Sequence, residues 1–236
     1  MHIKEDVRMT SFNWGKEAKE QWDGRASFWN ERSTAMWDKG SRKDIIPFIN
    51  KHMKKGDKIL DIGCGDGYGS FKLHQSGYDV TGMDISSEMI NLAKERLHSN
   101  QISFLQGDVN HLPFESNSFD GIMSINVLEW TEIPSKAVKE LLRVVKNDGL
   151  ICIGLLGPTA GPRANSYPRL HGEKAICNTM MPWEFQRLAV KEGLISVDGI
   201  GVYKDAVKEQ HHKDLPLELK QALTFMWLFM LRKVGE

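Results

Sequence analysis

The sequence predicts an α/β fold in which helices cover a mostly parallel sheet. From Lys58 onward, short apolar runs alternate with longer segments of helical periodicity, which is typical of repeated strand–helix units. Leu150–Leu155 is apolar almost throughout, as expected for a strand buried on both faces. A glycine-rich turn at Gly63–Gly67 joins the first predicted strand to the helix after it.

The individual elements follow from local patterns. Strands are predicted at Lys58–Asp61, Tyr78–Met83, Ile102–Gln106, Phe119–Ile125, Leu150–Leu155, Ile195–Tyr203 and Phe225–Leu231. Helices are predicted at Gly69–Gln75, Ser86–His98, Pro134–Val145, Met181–Glu192 and Leu217–Leu223. Asn147-Asp148-Gly149 should end the third of these helices, and the prolines of Gly157–Arg169 indicate a loop.

The first 50 residues differ from the rest because they hold four of the seven tryptophans: Trp14, Trp22, Trp29 and Trp37. On one continuous helix, Trp22 and Trp29 would face within about 20° of each other. We expect residues 1–50 to form a helical cap on the core, with some rings over a ligand cavity. Residues 51–236 should form one domain, divided into a ligand-binding half (51–156), a loop beside a second substrate (157–180) and a C-terminal half (181–236).

Composition restricts the classes of function. The 236 residues contain 31 Lys+Arg and 31 Asp+Glu, and this balance argues against a broad basic surface for nucleic acid. The longest nearly apolar stretch, Ala222–Leu231, is about half of the roughly 20 residues that a membrane span needs. Residues 1–10 lack an apolar signal core, and the three cysteines lack metal-like spacing. These features predict a cytoplasmic protein without a metal site, and they leave its oligomeric state open.

The turn Asp61–Gly67 (DIGCGDG) carries the strongest signal for a binding site. Its glycines allow a sharp turn and a close approach of a ligand to the backbone. The spacing is GxGxG, not the GxGxxG of dinucleotide sites, because Tyr68 follows Gly67. Asp61 would oppose a pyrophosphate and favour a ligand with an ammonium group. A glycine-rich turn alone is equally compatible with a tight turn that binds nothing.

Polar residues end four successive predicted strands. Besides Asp61, Asp84 follows the second strand, where an acid can accept both hydroxyls of a ribose. Asp108 follows the third strand, where it could accept a hydrogen bond from an adenine amine beside the N–H of Val109. Asn126 ends the fourth. Because the carboxyl ends of parallel strands meet at one edge of a sheet, these residues together indicate a nucleoside site.

With these residues the sequence resembles the class I S-adenosylmethionine-dependent methyltransferases, of the small-molecule type related to ubiquinone and menaquinone methylases. Asp61–Gly67 is similar to the family's first motif, Phe119–Trp130 to its fourth-strand motif and Leu141–Leu150 to the turn before its fifth strand. The resemblance implies a Rossmann-like sheet of seven strands, mostly parallel with the last antiparallel, and an N-terminal helical cap. It implies S-adenosyl-L-methionine as methyl donor and a small-molecule acceptor.

The resemblance also implies a set of donor-binding residues. Asp84 would hold the ribose hydroxyls, Asp108 the adenine amine, and Asp61 the ammonium group directly or through water. Trp29, in the sequence Ala26–Trp29, would lie near the methionine part, and backbone N–H groups of the glycines would suit the carboxylate. The full implied set is Trp29, Asp61, Gly63, Cys64, Gly65, Asp84, Ile85, Met89, Asp108, Val109, Asn126 and Val127.

Catalysis requires little more than alignment, because the donor's methyl is already activated. A base is needed only if the acceptor starts protonated, and the candidates are Glu129, beyond the fourth strand, and His171, in the following loop. Arg163 and Arg169 in that loop suggest an acidic group on the acceptor. A non-catalytic donor-binding protein, an RNA methyltransferase and a nicotinamide-dependent oxidoreductase are the alternatives.

Overall fold

The computed structural model describes residues 12–96 and 101–235. One seven-stranded sheet forms its centre. The strands are β1 Lys58–Ile62, β2 Asp79–Asp84, β3 Ser103–Gln106, β4 Phe119–Ile125, β5 Val145–Leu156, β6 Leu194–Tyr203 and β7 Thr224–Lys233. The helices are α1 Trp14–Asp23, α2 Ala26–Asp38, α3 Ile45–Asn50, α4 Tyr68–Gln75, α5 Ser87–Arg96, α6 Pro134–Val144, α7 Pro182–Lys191 and α8 Leu217–Ala222.

The strands lie in the order β3-β2-β1-β4-β5-β7-β6. β1 to β5 are mutually parallel, whereas β7 runs antiparallel to both of its neighbours. The predicted mostly parallel sheet with an antiparallel last strand is therefore confirmed. Because strand order reverses between β1 and β4, the carboxyl ends of these two strands border a crevice, the usual place for a ligand in such sheets.

Successive side chains along each strand point to opposite faces of the sheet, so the core consists of one apolar cluster on each face. In β1, Leu60 and Ile62 pack in a cluster that includes Leu141 of α6 and Phe185 of α7. Ile59 faces the opposite side, in a cluster with Phe48 of α3. This two-residue period fixes the face on which each neighbouring side chain lies.

The segment predicted to separate α6 from β5 belongs to the strand itself. α6 ends at Val144, and β5 begins at Val145, which pairs with Phe119 of β4. Asp148 has φ +61°, and the register of the β4–β5 pair shifts between Phe119 and Gly121. Asn147-Asp148-Gly149 thus ends the helix as expected, but it forms an irregularity within the strand rather than a loop before it.

The proline-rich segment predicted as a loop contains a run of 3₁₀ turns at Gly161–His171. The buried side chain of Arg163 holds this run in place. Its guanidinium donates hydrogen bonds to the carbonyl oxygens of Leu156, Gly157 and Met180, at 2.5 to 2.9 Å. Within the two described ranges, the chain has no helix long and apolar enough to cross a membrane.

Candidate functional site

A cavity of about 370 Å³ lies at the edge of the sheet where the parallel strands end. This volume falls within the roughly 300–1,000 Å³ that is usual for small-molecule sites. The ends of β1 to β5 and the start of β7 form its floor, and α1, α2 and the turn after α2 cover it. Of the residues predicted for the donor, ten line the cavity: Trp29, Gly63, Gly65, Asp84, Ile85, Met89, Asp108, Val109, Asn126 and Val127.

The turn after β1 fits tightly against the cavity wall. Gly63 and Gly65 have φ +68° and +55°, a region that favours glycine. A Cβ on Gly63 would lie 2.3 Å from Cγ2 of Val127, and one on Gly65 would lie 3.0 Å from Nε1 of Trp29. The N–H groups of Gly63 and Cys64 donate to the carbonyl of Met83, at 2.7 and 3.1 Å. These two donors are therefore engaged within the fold rather than directed at a ligand.

Asp84 lies in the cavity wall with both carboxylate oxygens anchored. One oxygen accepts from the N–H of Gly65 and the other from the N–H of Ser86, both at 2.9 Å. Burial raises the pKa of Asp84 to about 6, and the two backbone hydrogen bonds oppose that shift. The anchored carboxylate keeps a fixed orientation toward the cavity, as a bidentate acceptor requires.

Helix α1 is fastened to the turn that contains Asp84. Oδ1 of Asp23 accepts from Oγ of Ser86 at 2.6 Å and from the N–H of Glu88 at 3.3 Å. Ser86 in turn caps α5, because its Oγ accepts from the N–H of Met89 at 3.1 Å. The covering helix and the acid that faces the cavity are therefore joined through one serine.

Asp108 lies at the end of β3, on the far side of Asp84. Its Oδ1 accepts from the backbone N–H and the side-chain amide of Asn110, at 2.9 and 2.8 Å. Gly15 at the start of α1 lies above it, since a Cβ there would be 3.9 Å from Oδ2. The other carboxylate oxygen, Oδ2, accepts none of the hydrogen bonds found in the described part of the chain.

Asn126, the residue after β4, has φ +57°. Its Oδ1 accepts from Nη2 of Arg42 at 3.2 Å, and its backbone oxygen accepts from Nε1 of Trp130 at 2.7 Å. Its backbone N–H donates to Gly154 at 2.8 Å. This network joins the end of β4 to the covering segment.

Arg42, which sequence reasoning missed, supplies a buried positive charge to the cavity wall. Its guanidinium lies 4.5 Å from the ring centre of Trp29, a cation–π contact. Burial lowers the pKa of Arg42 to about 10, and the charges of Asp61, Asp66 and Glu129 oppose that shift. The group therefore remains charged near neutral pH, close to the glycine turn and Asn126.

Asp61 and Cys64 were predicted for the donor, but neither lies among the lining residues. Oδ2 of Asp61 accepts from Oγ of Ser70 in α4 at 2.6 Å, and burial raises its pKa to about 7. Sγ of Cys64 is buried and directs its weak hydrogen bond to the carbonyl of Gly65, at 3.7 Å. Asp61 therefore contacts Ser70 rather than the cavity, and its charge opposes the lowering of the pKa of Arg42.

The predicted bases do not lie on the cavity wall either. Glu129 is fully buried, its Oε1 accepts from the N–H of Leu156 at 2.6 Å, and burial raises its pKa. His171 is exposed and packs edge-to-face with Tyr167. Of the two loop arginines, Arg163 binds backbone carbonyls and Arg169 is exposed. The structure therefore does not bring these groups to the place where an acceptor could bind.

An aromatic cluster covers one end of the cavity. Trp22 lies edge-to-face with Trp29, with ring centres 6.1 Å apart, and with Trp130 at 5.5 Å. Trp22 and Trp29 belong to different helices, because α1 ends at Asp23 and α2 begins at Ala26. The expectation that a single helix presents both rings on one face is therefore not met, and the two rings meet because α1 and α2 pack together.

Comparison with known proteins agrees with this geometry. Residues 60–153 match a family model described as a methyltransferase domain. A malonyl-[acyl-carrier protein] O-methyltransferase of Pectobacterium atrosepticum is 28% identical over 175 residues, which cover 74% of this chain and 67% of that protein. A demethylmenaquinone methyltransferase of Staphylococcus haemolyticus is 36% identical over 133 residues, which cover 52% of each chain. The chain spans 25–53% of the length of several of the curated relatives that it matches.

Solved structures show the same fold. A methyltransferase from Haloferax volcanii, solved in complex with the methyltransferase activator Trm112, superposes with a TM-score of 0.70 at 19% identity. The superposition covers 92% of this chain and 98% of that one. At this identity the likeness concerns the fold.

Proposed function

We propose that this chain, which belongs to the S-adenosylmethionine-dependent methyltransferases, transfers a methyl group to a small-molecule acceptor. The covered cavity carries this proposal. Because α1 and α2 lie over the sheet edge, the cavity of about 370 Å³ is partly covered and is not an open groove along the surface. The charged residues of its lining are mixed in sign: Arg42, Lys136, Asp84, Asp108 and Glu132. That mixture differs from the basic surface that a polynucleotide requires.

From β3 through β2 and β1 to β4, the residues at the strand ends would suit the adenine, the ribose and the methionine part of the donor in turn. Asp84, with its fixed carboxylate, would accept the ribose hydroxyls, and Oδ2 of Asp108 would accept the adenine amine. Val109, Ile85 and Met89 would pack around the adenine. Gly63, Gly65, Asn126, Val127 and Trp29 would enclose the methionine part. Because the N–H groups of Gly63 and Cys64 already bond within the fold, Arg42 would bind the carboxylate in their place.

The protein's contribution to the reaction is mainly positioning. When bound, the donor supplies a methyl group already activated by its positively charged sulfur. Trp22, Trp29 and Trp130 would exclude water from this part of the cavity, and Asn126 and the glycine turn would fix the geometry of its floor. Holding two reactants in line in such a site can provide about 7–11 kcal/mol of the barrier.

Removal of the Asp84 carboxylate tests the donor site. In Asp84→Ala we expect affinity for S-adenosylhomocysteine, the donor's product, to fall by about tenfold or more, because charged hydrogen bonds of about 1.5–3 kcal/mol are lost. Isothermal titration measures this directly. Asp79→Ala is the matched control, since Asp79 begins the same strand at its exposed opposite end. Parental affinity in Asp84→Ala would show that Asp84 does not bind the ribose.

The raised pKa of Asp84, about 6, predicts a pH dependence of donor binding. As pH falls from 8 to 5, the carboxylate takes up a proton and loses acceptor capacity, so affinity for S-adenosylhomocysteine should weaken below about pH 6. The stability of the ligand-free protein should change in the opposite direction and increase as pH falls. Its folded state binds these protons more readily than the unfolded chain, so Asp84 and Asp61 favour folding increasingly as pH falls through this range.

Thermal-shift measurements across this pH range, with and without S-adenosylhomocysteine, separate the two effects. The shift caused by the ligand should shrink toward pH 5 in the parent protein. Asp84→Asn should have a smaller but nearly constant shift, because its side chain does not titrate. An equally steep pH profile in both proteins would assign the titration to another group.

A protein-borne acceptor is the second candidate, because the Pectobacterium relative is named for an acceptor attached to acyl carrier protein. Incubating the purified protein with cell extract and methyl-labelled donor distinguishes the two. Our proposal expects the label in low-molecular-mass products. Label that precipitates with protein would favour the second candidate, and label released by ribonuclease would identify RNA.

A further inference from the structure

We propose that Asp23, the last residue of α1, is a positioning residue of the donor site: through the hydroxyl of Ser86 it holds the turn that carries the carboxylate of Asp84. This inference rests on the proposed role of Asp84 in binding the ribose. Three features of the molecule support it: the hydrogen bonds of that turn, the contacts that fasten α1 beside it, and the charges that face Asp84.

Ser86 lies between the two carboxylates and bonds to both. Its backbone N–H donates to Oδ1 of Asp84 at 2.9 Å, and its Oγ donates to Oδ1 of Asp23 at 2.6 Å. Oγ also accepts from the N–H of Met89 at 3.1 Å. A hydroxyl has a single proton to donate, and Asp23 accepts it here, so the orientation of the fully buried Ser86 side chain depends on that carboxylate. Asp23 therefore helps to fix the residue that in turn fixes Asp84.

Asp23 is itself held beside the start of α5. Its Oδ2 forms an ion pair with Nζ of Lys19, one turn earlier in α1, at 2.5 Å. The same Nζ donates to Oγ of Ser87 at 3.0 Å. Burial alone would raise the pKa of Asp23, but the hydrogen bonds from Lys19 and Ser86 outweigh it, and this pKa lies below its ordinary value. Asp23 is therefore charged at neutral pH, and a negative charge is favourable at the N-terminus of a helix.

The turn that Asp23 holds belongs to the cavity wall. Asp84, Ile85 and Met89, on both sides of Ser86, line the cavity. Helix α1, which covers the cavity, also lines it, through Trp14, Gly15, Ala18 and Trp22. A donor in this cavity would therefore contact both of the elements that Asp23 joins. The link sets the ribose acid and the covering helix in one arrangement before the donor binds, and such preorganisation favours affinity.

The charge of Asp23 itself disfavours ionised Asp84. The groups that face this carboxylate are the N–H groups of Gly65, Ile85 and Ser86, the thiol of Cys64, the carboxylate of Asp61 from β1 and, from α1, Asp23 with its partner Lys19. Burial raises the pKa of Asp84 to about 6, and the negative charge of Asp23 acts in the same direction. Any gain in donor affinity from Asp23 must therefore come from the position that it gives to Ser86.

Variants of the full-length protein, titrated calorimetrically with S-adenosylhomocysteine at pH 8, test this role. Asp23→Ala removes the acceptor of the Ser86 hydroxyl and should lower affinity about five- to tenfold. Asp23→Asn keeps an acceptor oxygen and should restore affinity to within about threefold of the parent protein. In the Asp84→Ala background, Asp23→Ala should cause less than about twofold further loss, because the carboxylate on which it acts is absent.

The pH profile of the same titration gives a readout that a purely structural role would not change. In the parent protein, affinity should weaken below about pH 6 as Asp84 takes up a proton. Asp23→Asn removes a negative charge that faces Asp84 and should move this midpoint to lower pH. Asp38→Ala is the matched control, because Asp38 ends α2 and binds Lys72 of α4 without lining the cavity. It should change neither the affinity nor the midpoint.

The outcomes distinguish this proposal from the proposed function. If the parent protein does not bind S-adenosylhomocysteine, the methyl-transfer function itself is wrong. If it binds and Asp84→Ala retains parental affinity, Asp84 does not hold the ribose and the role inferred for Asp23 fails with it. Parental affinity in Asp23→Ala, or an equal loss in the Asp84→Ala background, would overturn the positioning role alone. Should Asp23→Ala fail to fold, Asp23→Asn decides, and an unshifted midpoint in that variant would contradict the proposal.

Discussion

Replacing Gly63 with alanine is expected to destabilise the protein by about 2–5 kcal/mol and to weaken donor binding at least about tenfold. A residue with a Cβ pays about 1–2 kcal/mol in the left-handed region that Gly63 occupies, and overpacking adds about 1–3 kcal/mol. The new methyl would lie 2.3 Å from Cγ2 of Val127, so Val127 must move. Because both residues line the cavity, the shift also distorts the donor site. Denaturant unfolding and titration with S-adenosylhomocysteine measure the two effects.

Gly56→Ala is a close control for this variant. Gly56 also has a positive φ, +89°, but a Cβ there would meet nothing within 4 Å. Gly56→Ala should therefore lose only the stability that the left-handed backbone conformation costs, without a steric clash, and should retain its affinity for the donor. Equal loss of stability in the two variants would mean that Val127 yields freely, and parental affinity in Gly63→Ala would mean that the turn does not shape the donor site.

The sheet could be predicted from sequence because its strands are buried on both faces. Their sequences are therefore short, nearly continuous apolar runs that are easily recognised. The ends of the elements were less predictable, because tertiary pairing sets them. Val145 continues a helical pattern, yet it pairs with Phe119 and starts β5. Similarly, prolines at 162 and 168 indicated a loop, whereas the carbonyl contacts of Arg163 order this segment into 3₁₀ turns.

The candidate site was predictable where a residue follows a strand. Asp84, Asp108 and Asn126 all reach the cavity because parallel strands end at the same edge. Asp61 does not, and the two-residue period of β1 explains why. Leu60 and Ile62 face the cluster on one side of the sheet, so Asp61 lies on the other side, against Ser70 of α4. The glycine spacing marked the correct turn but could not reveal that its N–H groups bond to Met83.

Arg42 shows which information the sequence lacks. It lies in a polar turn between α2 and α3, with no repeat or motif around it. Its role follows from the packing of that turn on the residue after β4, where it meets Asn126. Contacts between distant segments of this kind leave no local pattern.

Arg42→Gln is expected to weaken binding of S-adenosylhomocysteine by about 10–100-fold. The guanidinium is proposed to bind the carboxylate of the ligand, and a charged hydrogen bond contributes about 1.5–3 kcal/mol. Glutamine keeps a hydrogen-bond donor near Oδ1 of Asn126 but removes the charge. Loss of that charge also removes a favourable interaction with the carboxylates of Asp61 and Asp66. The decrease in folding stability between pH 6 and pH 8 should therefore be larger in Arg42→Gln than in the parent protein.

A ligand without the amino-acid part separates carboxylate binding from general damage to the site. Methylthioadenosine retains the adenine, ribose and sulfur but has no carboxylate, so its affinity should change less than about threefold in Arg42→Gln. Asp84→Ala should reduce the affinity for both ligands, because both contain the ribose that Asp84 is proposed to bind. If Arg42→Gln weakens both ligands equally, Arg42 supports the fold of the cavity and the carboxylate is bound elsewhere. A selective loss would identify Arg42 as the group that binds the carboxylate of the donor's methionine part.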